Sequence, residues 1–264
     1  MSQLLPLLFG IVGLLGLAVG SFLNVVIHRV PRDESLVHPG SHCPHCGNAV
    51  RNRHNIPVLG WLLLRGRCAD CQAPISARYP LVEAGTAALF IAVAAKFGWS
   101  WELPAYLYLA AIAVALAAID LDVLRLPDQI VLPSYGVALV LMAPAIIAGH
   151  SWGVAVRGLL AAGALYAFYR LLALVPRSMG RGDVKLAPLL GLYLGWLGWS
   201  SVVIGTFAGF LFGGLVGAAL LLLRIARGKS RIPFGPSMLA GTFLAVFAAA
   251  PIADWYLALL VPTP

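Results

Sequence analysis

Long apolar runs alternate with short polar breaks along nearly the whole chain. Eight such runs stand out, at 4–27, 81–97, 104–120, 129–148, 153–175, 184–197, 199–223 and 236–260. A helix that crosses the hydrocarbon of a bilayer needs about 20 mostly apolar residues, so each run predicts a spanning helix. The sixth is the shortest and rich in glycine. Strand-type alternation is absent, and backbone groups in lipid must be paired within the segment. The pattern therefore predicts an all-α polytopic membrane protein, a bundle of about eight transmembrane helices with one long polar loop between the first two.

Composition strengthens that reading. Of 264 residues 61% are hydrophobic and 11% charged, and the mean hydropathy is +0.90, far from the balance of a soluble domain. Charge placement gives an orientation. If the first helix runs outside to inside, the inner segments are 28–79, 121–128, 176–185 and 224–235, and they hold 15 of the 18 Lys and Arg residues. These are Arg29, Arg32, Arg51, Arg53, Arg65, Arg67, Arg78, Arg125, Arg177, Arg181, Lys185, Arg224, Arg227, Lys229 and Arg231. Arg157 and Arg170 fall inside the fifth run, where snorkelling accommodates them. Met1-Ser2-Gln3 carries no basic residue and the run behind it is too long for a signal core, so a retained first helix with its start outside is expected. The net charge of +8 then reflects topology and attraction to anionic membrane lipids. No recognition motif for nucleic acid accompanies it.

The loop at 28–79 carries all four cysteines and five of the six histidines. Its pattern is Cys43-Pro44-His45-Cys46, a spacer of 21 residues, then Cys68-Ala69-Asp70-Cys71. Two Cys-x-x-Cys knuckles offer four thiolates to one tetrahedral ion, the usual structural zinc arrangement. A disulfide or redox role is the alternative, disfavoured on a reducing side of the membrane. Four thiolates close the coordination shell, so such an ion folds the loop and leaves no open position for catalysis.

Carboxylates beside apolar runs are costly and usually retained for chemistry. Asp120 ends an unbroken apolar run and Pro127 restricts Leu126 away from helical geometry; Asp122, two residues on, points to another helix face. Asp128 follows the proline and reads as an N-cap of the fourth span. Asp183 lies in Gly180-Arg181-Gly182-Asp183-Val184-Lys185, where the glycines permit close approach, and an N-cap reading is open there too. Jointly, Asp120 and Asp183 both fall at inner helix ends, where a bundle can bring them to one depth. Two adjacent carboxylates share a proton, one activating water while the other polarises a peptide carbonyl. Glu83 sits about one turn inside the second span and needs a partner there. For Asn24 an interhelical hydrogen bond or helix-end satisfaction is the expected role.

The set Gly20-Ser21-Phe22-Leu23-Asn24-Val25-Val26-Ile27-His28-Arg29, the paired knuckles, Arg78-Tyr79-Pro80-Leu81-Val82-Glu83, Asp120 to Pro127-Asp128, and Gly180-Arg181-Gly182-Asp183 resembles the type IV prepilin peptidases, GxGD-type intramembrane aspartyl proteases. The resemblance implies an aspartate dyad at Asp120 and Asp183, supported by Asp122, Asp128, Gly180, Gly182 and Lys185. It implies cleavage of the short basic leader of prepilins and pseudopilins at the cytoplasmic face of the bacterial inner membrane. The tetracysteine loop is associated with members that also methylate the new N-terminus using S-adenosylmethionine. No nucleotide-type glycine fingerprint is present, and Glu83 is the one candidate contributor to a methyl-donor site, against a role as a buried carboxylate bonded to an arginine or helix N–H groups. The expected division is 1–27 as first transmembrane helix, 28–79 as cytoplasmic tetracysteine loop and 80–264 as transmembrane peptidase core. A basic leader must approach basic loops, so lipid headgroups and Asp122, Asp128 and Asp70 are the expected counter-charges.

Rival readings come from other classes. No His-Glu-x-x-His helix motif supports a metalloprotease, and Ser237 has no evident histidine partner within the spans. A non-proteolytic zinc-ribbon scaffold or proton-coupled transporter with aspartates on a proton path is the serious alternative.

Overall fold

A computed structural model describes residues 4–149, 152–175, 179–224 and 232–260. Met1 to Gln3, His150, Arg177, Arg227, Lys229 and Arg231 lie outside the described residues. Nine α-helices occur among those described: α1 Leu5–Arg29, α2 Leu59–Leu63, α3 Arg78–Phe97, α4 Leu103–Val123, α5 Asp128–Ile147, α6 Trp152–Leu172, α7 Arg181–Leu197, α8 Trp199–Leu222 and α9 Gly235–Leu260. No strand forms among the described residues, and the only sheet-like pairings there are two isolated bridges in the loop. Eight helices coincide with the eight expected spans, and seven of these are long and apolar enough to cross a membrane. The exception is α7, with 17 residues.

The chain divides into two compact units, 1–115 and 116–264, and passes from one to the other within α4. In the first, α1 packs on α3. Gly16 and Gly20 make this possible: a methyl group added at either would come within 2.7 Å of the Cα of Ala87 or Glu83. Small residues four apart on one helix face let two backbones approach closely, which drives helix pairing in lipid. Arg29, buried at the end of α1, donates to the carbonyls of Ser35 at 2.8 Å and Pro39 at 2.6 Å and so shapes the start of the loop.

In the second unit α7 is the central helix, touching α5, α6, α8 and α9. Every residue from Leu189 to Trp196 is buried. That explains its brevity: a helix surrounded by protein need not match the hydrocarbon thickness on a lipid-facing side. Gly191 and Gly195 face α6, where an added methyl would stand 2.7 Å from the Ala161 carbonyl oxygen or 2.5 Å from the Ala161 side chain. Arg157 of α6 does not simply snorkel. Its guanidinium donates to the Gly195 and Trp196 carbonyls, each at 2.7 Å, and so satisfies the C-terminal carbonyls of α7 and complements its dipole.

Gly191→Val should destabilise the folded protein by about 1–3 kcal/mol, because the contact is to backbone and cannot yield. Gly85→Ala, at a helical site with open space around it, should leave stability unchanged or raised. Thermal unfolding of both variants in one detergent checks the contrast.

Candidate active site and metal centre

The helix carrying Asp120 ends within a turn of it. Leu124 adopts a left-handed conformation at φ 53° and its N–H donates to the Asp120 carbonyl at 3.0 Å. Asp120 itself is only 5% exposed. Its Oδ2 accepts the backbone N–H of Gly235 at 3.0 Å. Gly235 opens α9, so the donor belongs to a helix N-terminus, whose partial positive charge suits a carboxylate.

Asp183 is held in the same manner. It is 8% exposed and occupies the third position of α7, reaching back so that Oδ2 accepts the Gly180 N–H at 3.1 Å. A methyl at Gly180 would stand 3.0 Å from that oxygen, and one at Gly235 would stand 2.8 Å from Asp120 Oδ2. Both glycines thus let a bare backbone N–H meet a carboxylate. Leu126 lies against both helix starts: a methyl at Gly182 would meet its Cβ at 2.9 Å, and one at Gly235 its Cδ2 at 3.2 Å. The two carboxylates interact electrostatically.

Behind them stands an aromatic stack. Tyr169, fully buried on α6 and within electrostatic reach of Asp183, stacks on Phe210 with centroids 5.7 Å apart. Phe210 meets Phe234 at 5.2 Å, and Phe234 immediately precedes Gly235. The stack therefore fixes the start of α9 and with it the N–H that holds Asp120.

Other carboxylates expected at the site behave differently. Asp128 does not cap α5. The cap is Pro127, whose extended ψ of 130° supplies the turn into the helix, and the Asp128 carboxylate instead takes Lys185 Nζ at 2.6 and 2.8 Å. Tyr135 Oη donates to the Lys185 carbonyl, so the start of α7 is clasped to α5 twice. Asp70 pairs with Arg51 at 3.0 Å. Asp128 and Asp70, both expected to meet a basic leader, thus already hold a cation. Asp122 is exposed on the opposite side of the helix end from Asp120.

The tetracysteine loop folds as two matching knuckles. Cys43 N–H donates to the Asn48 carbonyl and Gly47 N–H to the Cys43 carbonyl; Cys68 to Ala73 and Gln72 to Cys68 repeat the pattern. Gly47 and Gln72 occupy equivalent left-handed positions at φ 74° and 60°. All four sulfurs lie within 4.8 Å of one another, and none is disulfide-bonded. Cys43 and Cys71 are 3.8 Å apart. Sulfurs around one tetrahedral zinc, each at about 2.3 Å, stand about 3.8 Å apart, so the donor set and spacing fit a metal ion. Backbone N–H groups of Cys46 and His45 hold the Cys43 thiol down at about 6. At Cys71 the Ala73 N–H favours the thiolate, yet burial and the neighbouring sulfurs push the thiol up to about 12. A cation among the four relieves that repulsion.

Glu83 is buried, and its Oε2 accepts the Val58 N–H at 2.6 Å. Asn24 donates to the Tyr79 carbonyl at 3.1 Å, the interhelical bond the sequence led us to expect. The loop is fastened to α3 by Glu83 and to α1 by Arg29.

Residues 14–97 match the bacterial peptidase A24 N-terminal domain and residues 107–222 the type IV leader peptidase family. An Aeromonas hydrophila protein named prepilin leader peptidase/N-methyltransferase is 40% identical, with 95% of this chain and 94% of its own length covered. The chain belongs to the type IV leader peptidase family. Other leader peptidase relatives of the same name, from Neisseria gonorrhoeae and Pseudomonas aeruginosa, are 39% and 35% identical over 90% and 92% of this chain and 90% and 91% of their own lengths. No solved structure matches the chain. For a leader peptidase of this family, a multi-pass location in the bacterial inner membrane follows from the seven apolar helices and from these relatives. Gly235, Leu126 and Tyr169 are the site residues that sequence patterns had not singled out.

Cys43→Ser and Cys71→Ser should each lower bound zinc well below one ion per chain, measured by elemental analysis of protein purified without added metal. Stoichiometric zinc in both variants would contradict the four-sulfur site.

Proposed function

We propose that this chain cleaves the short basic leader from type IV prepilins and pseudopilins at the cytoplasmic face of the membrane, and then methylates the exposed N-terminal residue. The observation that carries the reading is the pair Asp120 and Asp183, two buried carboxylates each steered by one glycine N–H. In each, one oxygen is held by that N–H, and the other is assigned to water or substrate. Hydrolysis needs one carboxylate ionised and one protonated. The ionised member takes a proton from water as its oxygen attacks the peptide carbonyl, and the acid member donates its proton to the carbonyl oxygen, giving a tetrahedral diol. Collapse returns a proton to the departing amine, leaving a leader carboxylate and a free N-terminus. Gly180, Gly182 and the Asp128–Lys185 clasp support the start of α7 and so the aim of Asp183; Asp122, at the surface, adds local negative charge for a basic leader.

The positive-inside distribution supports a first helix that starts outside, with the tetracysteine loop and the dyad cytoplasmic. We assign 1–27 to the first span, 28–79 to the loop and 80–264 to the peptidase core. Zinc held by Cys43, Cys46, Cys68 and Cys71 would fold the loop. S-adenosylmethionine would supply the methyl group, and Glu83 is the residue assigned to that half through the Val58 turn it holds. The scaffold and transporter readings are not favoured by relatives that share peptidase and methyltransferase names.

Asp120→Asn and Asp183→Asn should each slow leader cleavage by roughly a hundred- to ten-thousand-fold, while methylation of a peptide that already has the free terminus persists. Cleavage retained in either variant contradicts the dyad; loss of both activities in both variants contradicts a separate methyl-transfer site. Gly235→Ala, which sets a methyl 2.8 Å from the Asp120 carboxylate, should lower kcat on the order of tenfold or more with KM little changed. Steady-state kinetics on a leader peptide reads the split.

A further inference from the structure

The short helix α2 is an unusual object for a polar loop. Three of its five residues are exposed leucines: Leu59 at 55%, Leu62 at 55% and Leu63 at 71%. Ile56 beside it is 45% exposed. Soluble surfaces seldom concentrate large apolar groups this way without a partner.

The helix is also held firmly. The Val58 N–H at its start is bound by Glu83, and Val58 stands at φ 61°, a conformation β-branched residues resist. Gly60 presses on the His54 carbonyl so closely that a methyl there would stand 2.1 Å from the oxygen. Trp61 Nε1 donates to the Ile75 carbonyl at 3.0 Å. These contacts bury Gly60 and turn the leucines outward.

Its depth follows from Glu83. That residue is the sixth of α3, about 7.5 Å along the helix from Arg78 at about 1.5 Å per residue. The start of α2 therefore lies level with the interior of a spanning helix. Exposed arginines flank the leucines at Arg53, Arg65 and Arg67. The loop as a whole carries seven arginines against three acids, one of which, Asp70, is already paired.

We propose that α2 is an interfacial anchor: Leu59, Leu62 and Leu63 sit in the acyl-chain boundary of the bilayer, and Arg53, Arg65 and Arg67 bind anionic headgroups above them. An apolar face at membrane depth with a cationic rim has the chemistry of a monotopic helix. Each arginine near an anionic surface raises surface affinity about fivefold, and each leucine withdrawn from lipid costs about tenfold. Anchoring of this kind holds the tetracysteine knuckles against the membrane plane. It does not depend on the chemistry at the dyad.

The test uses the full-length protein with benzoylphenylalanine in place of Leu62 or Leu63, in nanodiscs of phosphatidylcholine alone or mixed equally with phosphatidylglycerol. Irradiation should give lipid adducts by mass spectrometry at both positions. None should form with the probe at Asn48, on the knuckle. In the anionic discs R65Q/R67Q should cut adduct yield at least fivefold; in the neutral discs it should change little. Adducts to a second copy of the chain, or no adduct at 62 and 63, would overturn the anchor. Equal yields with and without the arginines in anionic discs would overturn the headgroup contact.

Discussion

The second unit depends on one constraint: two carboxylates lie buried at the ends of apolar helices, and among the described residues neither forms an ion pair. Backbone N–H groups at helix starts stabilise them instead. Asp120 takes the first N–H of α9 and Asp183 the N–H just before α7. Because the donors are backbone, the residues that carry them must be small, and both are glycine. The starts of α7 and α9 are thereby fixed in space by the same groups they serve.

The rest of that unit can be understood as support for those two helix starts. α7 is surrounded by α5, α6, α8 and α9. Arg157 secures its far end, and the clasp of Asp128 with Lys185 secures its near end. The Tyr169–Phe210–Phe234 stack sets where α9 begins. Close glycine contacts between α8 and α9, with Gly241 against the Gly209 backbone, remove the slack that larger side chains would leave. The proposed dyad, which would place two oxygens on one peptide bond, would need this rigidity, since small displacements cost rate steeply.

Much of this was legible in the sequence because the signals are strong. An apolar run of membrane length seldom folds as anything but a helix, and all eight became helices. Four cysteines in two knuckles read as one cluster before any coordinates. The proposed pairing of Asp120 with Asp183 rests, in the sequence, only on a joint argument about helix ends. Other features were hidden for physical reasons. Gly235 contributes a backbone N–H, which leaves no trace in residue type. Leu126 and Tyr169 are apolar or aromatic residues among many such. Asp128 read as a cap because an acid after proline usually is one, whereas Lys185, 57 residues away, offered it a full charge. The five-residue α2 was invisible because its apolar run is too short to signal a span.

Whether the two aspartates form one site with their glycine donors is most directly tested by solid-state NMR on full-length protein in lipid bilayers, with aspartate carboxyl carbons and glycine nitrogens labelled. Through-space correlations are expected from Asp120 Cγ to Gly235 N and from Asp183 Cγ to Gly180 N, at about 4 Å or less as a hydrogen bond requires, together with a contact between the two carboxyl carbons. Absence of the carboxyl–carboxyl contact in protein that still cleaves substrate would contradict a shared site.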